Sequence, residues 1–299
     1  METLDQKIPL LSQEILDRIP NKFLDIPYCN DSANQILDIY LPSEGNGPFP
    51  VIAHFHGGAF IFGTQRDENL EPVLRALDRG YAVVSAQYRM SDEAKFPALI
   101  YDAKTVIRFI RAHSDHYNFD SSRIAAWGPS AGGYIVTMLG VTGNNPAFED
   151  LDAGYAEYSS DVQAVVNWCG PCGNFLLMDE DIRINGIGEA DHSDPLSPES
   201  RLLGNPITEV PELTDLSTPL KYIHNNVPPF IIHHGASDGT VPVQQSIRLA
   251  NAIRRKVGSR KVVFECFEGK GHHGEPWFDE PWLSDKVFQF LDRVLEVKK

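Results

Sequence analysis

The sequence predicts an α/β fold in which a mostly parallel, doubly wound sheet carries helices on both faces. Short apolar runs of strand length alternate along the chain with segments of helical periodicity, which is typical of βαβ units. The run at 81–86 is almost continuously apolar, as strands inside a parallel sheet are. The apolar run at 122–127 leads through a glycine-rich turn directly into an apolar helix at 134–140.

The length of 299 residues suits one large α/β domain, and we expect the whole chain, 1–299, to form it. The first stretch, 1–30, is predicted to be an N-terminal extension of this domain. The stretch 173–226 shows no strong period and is rich in Pro, Asn, Asp and Ser. Because it is too long for a plain loop, we expect a small cap inserted over the active face of the sheet.

The elements follow in order from apolar periodicity and from the proline and glycine residues that end them. Alternating or continuous apolar runs predict strands at 35–42, 51–55, 81–86, 122–127, 162–168, 229–234 and 261–267. Helical spacing predicts helices at 12–19, 69–78, 134–140, 243–257 and 283–297. The first two of these helices are expected to end at Pro20 and Gly80.

A further long helix is expected to start at Pro97, where proline suits the first turn. Its apolar residues recur at helical spacing and predict a buried stripe made of Leu99, Ala103, Val106 and Ile110. The charged residues between them are expected to face water: Lys104, Arg108 and Arg111.

The centre of the chain is Gly128-Pro129-Ser130-Ala131-Gly132, which lies between a predicted strand and a predicted helix. A serine that attacks an ester has to stand clear of the backbone on a sharp strand-to-helix turn. The residues two before and two after it must then lack clashing side chains, as Gly128 and Gly132 do. The helix that follows directs its amide groups at the place where negative charge develops. The pattern predicts that Ser130 is a nucleophile.

A serine hydroxyl needs a base to take its proton and an acid to orient that base. In an open parallel sheet, such groups come from loops at the carboxyl ends of strands. Asp238 follows the strand predicted at 229–234, and His272 follows the strand predicted at 261–267. The order Ser130, Asp238, His272 is that of the α/β-hydrolase pattern, so we predict Asp238 as the acid and His272 as the base.

Backbone donors for the oxyanion are predicted in the loop His56-Gly57-Gly58-Ala59, which follows the strand at 51–55. Its position before the nucleophile is that of the oxyanion loop of lipases and esterases. We assign the donors to the amides of Gly58, Ala59 and Ala131, each worth about 3 kcal/mol. His56 is expected to brace the loop and to take no proton.

The charge balance narrows the choice of partners. With 26 basic and 41 acidic residues, the chain has a formal net charge of −15. Such a surface repels phosphate backbones and anionic lipid, so we expect a small-molecule ester as the partner and neither nucleic acid nor membrane. The first 20 residues carry charges throughout, which is unlike a signal peptide and predicts a cytoplasmic protein. The four cysteines do not suggest a secreted disulfide scaffold.

Several motifs together point to one family: Leu37-Asp38-Ile39-Tyr40-Leu41-Pro42, His56-Gly57-Gly58-Ala59-Phe60, Gln87-Tyr88-Arg89, Phe96-Pro97-Ala98, Trp127-Gly128-Pro129-Ser130-Ala131-Gly132-Gly133 and Ser197-Pro198-Glu199-Ser200. With these motifs the chain resembles hormone-sensitive-lipase-like esterases of the α/β-hydrolase fold, most closely their bacterial feruloyl-esterase-like branch. The resemblance implies a serine carboxylester hydrolase without metal or organic cofactor. It implies short-chain or aromatic acyl esters as substrates, such as acetyl or feruloyl groups of plant polysaccharides.

The chain differs from the pattern of that family at three positions, Ala59, Pro129 and His273. Ala59 replaces a glycine of the oxyanion loop, which is tolerable because only its N–H is needed. Pro129 removes an N–H, but not the one that follows Ser130. The family pattern Gly-His-Gly-Gly puts His272 in the histidine position and leaves His273 in place of a glycine.

Other functions stay open at this point. Trp168-Cys169-Gly170-Pro171-Cys172 spells the thioredoxin motif, so a thiol–disulfide oxidoreductase through Cys169 and Cys172 is an alternative, as are a regulatory disulfide and two inert thiols. No convincing helix follows the motif, although a thioredoxin cysteine gains its acidity from one. No second ligand pair has the spacing of a zinc site, so no metal site is predicted. An acyl-peptidase, a lipase and a non-catalytic binding module are the remaining alternatives.

Overall fold

The computed structural model describes residues 8–143, 145–272 and 276–297. These residues form one eight-stranded sheet whose strands are, in chain order, β1 (Lys22–Pro27), β2 (Ile36–Tyr40), β3 (Phe49–Phe55), β4 (Ala82–Ala86), β5 (Phe119–Pro129), β6 (Ala164–Trp168), β7 (Phe230–Gly235) and β8 (Val262–Phe267). They lie side by side in the order β1-β2-β4-β3-β5-β6-β7-β8. The strands from β3 to β8 are parallel, whereas β2 pairs antiparallel with both β1 and β4. The predicted mostly parallel sheet is confirmed.

Helices cover both faces of this sheet. The α-helices are α1 (Gln13–Asp17), α2 (Glu71–Leu74), α3 (Ala98–Ala112), α4 (Ser114–Tyr117), α5 (Ala131–Val141), α6 (Met178–Asn185), α7 (Pro198–Leu203), α8 (Pro211–Leu216), α9 (Gln244–Val257) and α10 (Pro281–Val294). Apolar residues of α3, α5 and α9 belong to one buried cluster, and those of α1, α2 and α10 belong to a second. The doubly wound arrangement that the sequence predicts is therefore confirmed.

The central strands are buried throughout and mostly apolar because both of their faces are covered. In β3, Val51 and Ala53 lie in the cluster of α3 and α5, whereas Ile52 lies in the cluster of α10. Alternate residues of a strand point to opposite faces, so a strand between two helical layers favours apolar residues on both of its faces. This arrangement explains why the run at 81–86 contains almost no polar residue.

Two cations of α3 are buried, contrary to the prediction that they face water. The side chains of Lys104 and Arg108 are 0% exposed, and both form ion pairs with Glu149. Lys104 Nζ also donates to the carbonyl oxygen of Thr142, at 2.7 Å. The irregular segment that follows α5 folds over this side of α3 and supplies the opposite charge. Periodicity within α3 carries no information about that long-range contact.

Two further elements differ from the prediction. The helix expected at 69–78 consists of 3₁₀ turns at Glu68–Leu70 and Leu77–Arg79 on either side of α2. Gly80 ends it in the left-handed conformation, at φ 79°, as predicted. The strand β1 was not predicted, because its side chains alternate only between half-buried and exposed at the outer edge of the sheet.

The stretch 173–226, between β6 and β7, contains α6, α7, α8 and 3₁₀ turns at Phe175–Leu177 and Pro219–Tyr222. Several residues of this stretch between α6 and α7 line a large cavity at the carboxyl ends of the strands. In the parts of the chain that the structure describes, no helix is both long and apolar enough to cross a bilayer.

Candidate active site

Ser130 occupies a strained turn between β5 and α5. Its φ of 52° and ψ of −118° are unusual for a residue with a side chain. A Cβ on Gly128 would lie 2.4 Å from the carbonyl carbon of Gly132, and a Cβ on Gly132 would lie 1.9 Å from the carbonyl oxygen of Phe55. Only glycine fits at these two positions, because a side chain at either one would clash with the backbone.

The structure brings Ser130, Asp238 and His272 together, although they lie far apart in the chain. His272 Nε2 lies 3.0 Å from Ser130 Oγ, and His272 Nδ1 lies 2.6 Å from Asp238 Oδ2. Both distances are those of hydrogen bonds. The three residues follow β5, β7 and β8, so the carboxyl edge of the parallel sheet assembles them.

Asp238 is held as a carboxylate by four donors. Its Oδ1 accepts hydrogen bonds from the amides of Thr240 and Val241, at 2.9 Å and 2.8 Å. Its Oδ2 lies 3.1 Å from Nε2 of His234, in addition to its contact with His272. Burial by itself raises the pKa of Asp238, but His272 and His234 outweigh it and hold the pKa well below its usual range. The group therefore carries a negative charge beside the imidazole of His272.

The imidazole of His272 is tuned by that charge. Burial by itself lowers the pKa of His272, but Asp238, together with the neighbouring Cys169, outweighs burial and raises the pKa well above its ordinary value. An arrangement of this kind stabilises the imidazolium that forms when a histidine accepts a proton from a serine. The neighbouring His273, the other histidine of the predicted loop, lies outside the described residues.

The loop after β3 lines the same cavity as Ser130 and has a turn that requires glycine. Gly58 has a φ of 114°, and a Cβ there would lie 1.9 Å from the carbonyl oxygen of Phe62, so the turn requires glycine. Gly58 and Ala59 line the cavity that contains Ser130. Among the described residues, no acceptor takes a hydrogen bond from the amides of Gly58, Ala59 or Ala131.

His56 holds this loop in place through polar contacts of both ring nitrogens and through stacking of its ring. Its Nδ1 lies 2.6 Å from the carbonyl oxygen of Gly57, and its Nε2 lies 3.1 Å from Gln87 Oε1. Its ring stacks on Tyr88, with the ring centroids 4.6 Å apart. Burial lowers the pKa of His56, which favours the neutral imidazole. These contacts agree with the bracing position that the sequence predicts for it.

Ser130 and His272 lie in the wall of a cavity of about 1040 Å³. Five carboxylate residues also line it: Glu68, Glu189, Asp191, Asp194 and Asp279. No lysine or arginine is present among the described lining residues. Burial and the nearby charge of Asp279 raise the pKa of Glu68, as expected where carboxylates face one another. The cavity is therefore strongly electronegative.

Two residues that lie beside the site, His234 and Cys169, were not predicted from the sequence to belong to it. His234 shares the carboxylate of Asp238, as described above. Cys169 Sγ lies within 4.8 Å of a ring nitrogen of His272 and of a carboxylate oxygen of Asp238. The available signal was position: Cys169 follows β6 at the same edge of the sheet from which the other three residues project.

The two cysteines of the thioredoxin-like motif do not pair. Cys169 belongs to the cluster on one face of the sheet, and Cys172 belongs to the cluster on the other. Both are free thiols, and burial raises the pKa of Cys172 to about 12. A dithiol oxidoreductase of this type has to form a disulfide between its two cysteines, so two free thiols in separate clusters argue against that alternative.

Comparison with known proteins assigns the chain to a family. The BD-FAE family model matches residues 37–253. The chain is 28% identical to esterase LipC of Mycobacterium tuberculosis over 257 residues, which are 81% of this chain and 57% of that protein. It is also 28% identical to a probable isoprenylcysteine alpha-carbonyl methylesterase of Arabidopsis thaliana, over 89% of this chain and 53% of that protein. The chain spans about half the length of the curated relatives it matches.

Solved structures agree with this assignment. A truncated carbohydrate esterase from gut microbiota has a TM-score of 0.82 at 28% identity, over 96% of this chain and 99% of that chain. A bifunctional GH43-CE protein of Bacteroides eggerthii has a TM-score of 0.78 at 32% identity, over 91% of this chain and 38% of that chain. An esterase of Thermogutta terrifontis, at 23% identity, shares the fold with a TM-score of 0.70, over 92% of this chain and 93% of that chain. The chain therefore belongs to the BD-FAE family and has the α/β-hydrolase fold.

Proposed function

We propose that the protein is a serine carboxylesterase in which Ser130 is the nucleophile, His272 the base and Asp238 the acid. The observation that carries this proposal is the pair of contacts of His272, at 3.0 Å to Ser130 and 2.6 Å to Asp238. Relatives and structural neighbours that are named as esterases support the same reaction class.

In the acylation step, Ser130 Oγ attacks the ester carbonyl carbon while Nε2 of His272 takes the hydroxyl proton. The carbonyl oxygen becomes an oxyanion, which the amides of Gly58, Ala59 and Ala131 stabilise by hydrogen bonds. The bond between carbon and the alcohol oxygen then breaks, and the leaving alcohol receives the proton from His272. The acyl group remains on Ser130 as an ester.

In the deacylation step, a water molecule takes the place of the alcohol. His272 removes a proton from this water as it attacks the acyl carbon, and the same three amides hold the second oxyanion. The bond to Ser130 Oγ breaks, and His272 returns the proton to the serine. Asp238 keeps the proton on Nδ1 of His272 throughout, so that Nε2 faces the reacting atoms.

The stretch 173–226 is proposed to act as the cap of this esterase. Its residues between α6 and α7, including Glu189 and Asp191, supply part of the wall of the cavity that contains Ser130. A carboxylate-rich wall suits neutral substrates with many hydroxyl groups, because carboxylates accept hydrogen bonds from hydroxyls. We therefore propose short-chain or aromatic acyl esters of carbohydrates as the substrate class, in line with the carbohydrate esterase that it resembles.

The experiment compares the wild type with Ser130→Ala on p-nitrophenyl esters of increasing chain length, acetylated xylan, methyl ferulate and an acylated dipeptide. We expect hydrolysis of the short or aromatic esters, with kcat lowered roughly 10⁴- to 10⁶-fold in Ser130→Ala. A fluorophosphonate probe should label Ser130 in the wild type, with circular dichroism confirming that both proteins are folded. Retention of more than about a tenth of the activity by Ser130→Ala would refute the nucleophile. Preference for the dipeptide or for long-chain esters would instead establish a peptidase or a lipase.

A further inference from the structure

Cys169 is a buried nucleophile that the proposed esterase reaction does not use. Its side chain is fully buried, and Ser130 lies close by, since the amide of Ser130 donates to the carbonyl oxygen of Trp168 at 2.8 Å. The φ of Cys169 is 45°, which is unusual for a residue with a side chain. This backbone conformation places the thiol next to the proposed acid and base.

The side chains of Cys169, Asp238 and His272 place three potential metal ligands close together. Cys169 Sγ, a carboxylate oxygen of Asp238 and a ring nitrogen of His272 all lie within 4.8 Å of one another. Thiolate, imidazole and carboxylate are the three ligand types that Zn²⁺ takes in proteins, at about 2.0–2.3 Å from the metal. Tetrahedral ligands at those distances lie roughly 3.3–3.7 Å apart, so side-chain movements of about 1 Å would close the site.

The charge balance also suits a divalent cation. A buried thiolate and a buried carboxylate together carry two negative charges, which a divalent ion neutralises without further residues. A site with three protein ligands leaves the fourth tetrahedral position open. The side chain of His272 is 16% exposed and lines the cavity, so an ion can reach the three ligands from that side.

We propose that Cys169, Asp238 and His272 form an inhibitory site for thiophilic divalent cations such as Zn²⁺ and Cd²⁺. On binding, the S–H bond of Cys169 breaks, its proton passes to solvent and a metal–sulfur bond forms. A metal on Nδ1 of His272 moves the remaining imidazole proton to Nε2, and a metal on Nε2 occupies that lone pair. In either case Nε2 no longer accepts the proton of Ser130, and hydrolysis stops. The inhibition rests on the proposed function, whereas the binding does not.

The first experiment measures inhibition of the metal-free wild type by zinc sulfate on a short p-nitrophenyl ester. We expect reversible inhibition that EDTA relieves, with rates expressed relative to those of the same variant in EDTA. In Cys169→Ser, the zinc concentration for half inhibition should rise by more than about tenfold, since even outer-sphere partners of a metal contribute 10- to 100-fold to affinity. The matched control is Cys29→Ser, which removes a free thiol after β1, at the opposite edge of the sheet from β8, and should keep the zinc sensitivity of the wild type.

The second experiment detects binding without activity. Cobalt(II) added to Ser130→Ala should produce the near-ultraviolet absorption of a thiolate–cobalt bond, and Ser130→Ala/Cys169→Ser should not produce it. This arm stays informative if Cys169→Ser hydrolyses esters too slowly to measure. If the wild type hydrolyses no ester, the proposed function fails, and the cobalt spectrum still decides the site. Equal zinc sensitivity of Cys169→Ser and wild type, or the absence of the thiolate band from Ser130→Ala, would overturn the inference.

Discussion

At the scale of single residues, Ser130 shows how the fold uses a strained backbone. A non-glycine residue in such a conformation costs roughly 1–3 kcal/mol. The strain is held by the start of α5 on one side and by the hydrogen bond from Ser130 N–H to the carbonyl of Trp168 on the other. In return, Oγ stands clear of the backbone, 3.0 Å from Nε2 of His272.

The adjacent histidines His272 and His273 give a test of the base. Because only His272 is described at hydrogen-bond distance from Ser130, we expect His272→Ala to abolish turnover. His273→Ala should keep turnover and change mainly KM or stability. Both variants are measured on the same short ester at pH 8. An inactive His273→Ala beside an active His272→Ala would show that the base lies one residue further along the loop.

The charge of Asp238 should be visible in the pH dependence. A protonated His272 cannot accept the proton of Ser130, so kcat/KM should rise with pH through the pKa of His272. Asp238 raises that pKa, so Asp238→Asn should move the rise to lower pH while kcat falls by about 10⁴-fold. Asp279→Asn, which removes a carboxylate elsewhere in the cavity wall, is the control and should leave the midpoint close to that of the wild type. The profiles are recorded with a chelator present, and an unchanged midpoint in Asp238→Asn would contradict the assignment.

At the scale of elements, the close approach of β3 to α5 decides the shape of the site. Gly132 in the first turn of α5 faces the end of β3, whose last residue, Phe55, is followed by the proposed oxyanion loop. The same contact therefore holds the nucleophile and the proposed oxyanion donors in one relative position.

We expect Gly132→Ala to disturb both the fold and the site, because the new Cβ would lie 1.9 Å from a backbone oxygen that cannot rotate away. The free energy of unfolding should fall by about 2 kcal/mol or more, and kcat should fall with it. Gly80→Ala is the control, since its Cβ meets nothing within 4 Å and only its positive φ opposes the change. That variant should lose about 1–2 kcal/mol and keep its kcat. Urea unfolding and ester hydrolysis measure both quantities, and a fully active Gly132→Ala would contradict this account.

At the scale of the whole molecule, the chain has a formal net charge of −15, and five of its acidic residues line the cavity. Burial and the charge of Glu71 raise the pKa of Asp279, and the charge of Arg75 offsets this in part. A substrate that carries its own negative charge must approach against this potential.

We therefore expect discrimination between esters that differ only in charge. The neutral 4-acetoxybenzamide should be hydrolysed with a kcat/KM at least about tenfold above that of the anionic 4-acetoxybenzoate at low salt. Added sodium chloride should narrow this ratio because it screens the carboxylates. The double variant Glu189→Gln/Asp191→Asn should narrow it as well. Equal kcat/KM for the two esters at low salt would show that the cavity charge does not act on substrates.

Much of the fold and of the candidate site follows from local sequence signals. The strands from β2 to β8 and the longer helices follow from apolar periods, and the parallel sheet follows from their alternation. Gly128 and Gly132 mark the turn that carries Ser130, because close backbone contacts there exclude a side chain. Once the sheet is parallel, loops that follow its strands meet at one edge, which is why Asp238 and His272 could be placed near Ser130 from the sequence.

Only the tertiary structure decided which side chains meet across distant parts of the chain. Lys104 and Arg108 have the spacing of a solvated helix face, and they are buried because Glu149 is brought to them from another segment. In the sequence, Cys169 belongs to a motif that suggests a redox pair with Cys172. In the structure, its sulfur lies within 4.8 Å of side-chain atoms of Asp238 and His272. The apolar period of a helix or strand indicates which of its faces is buried. The residues that surround a charged side chain or a thiol come from distant segments, so they are fixed only when the whole chain has folded.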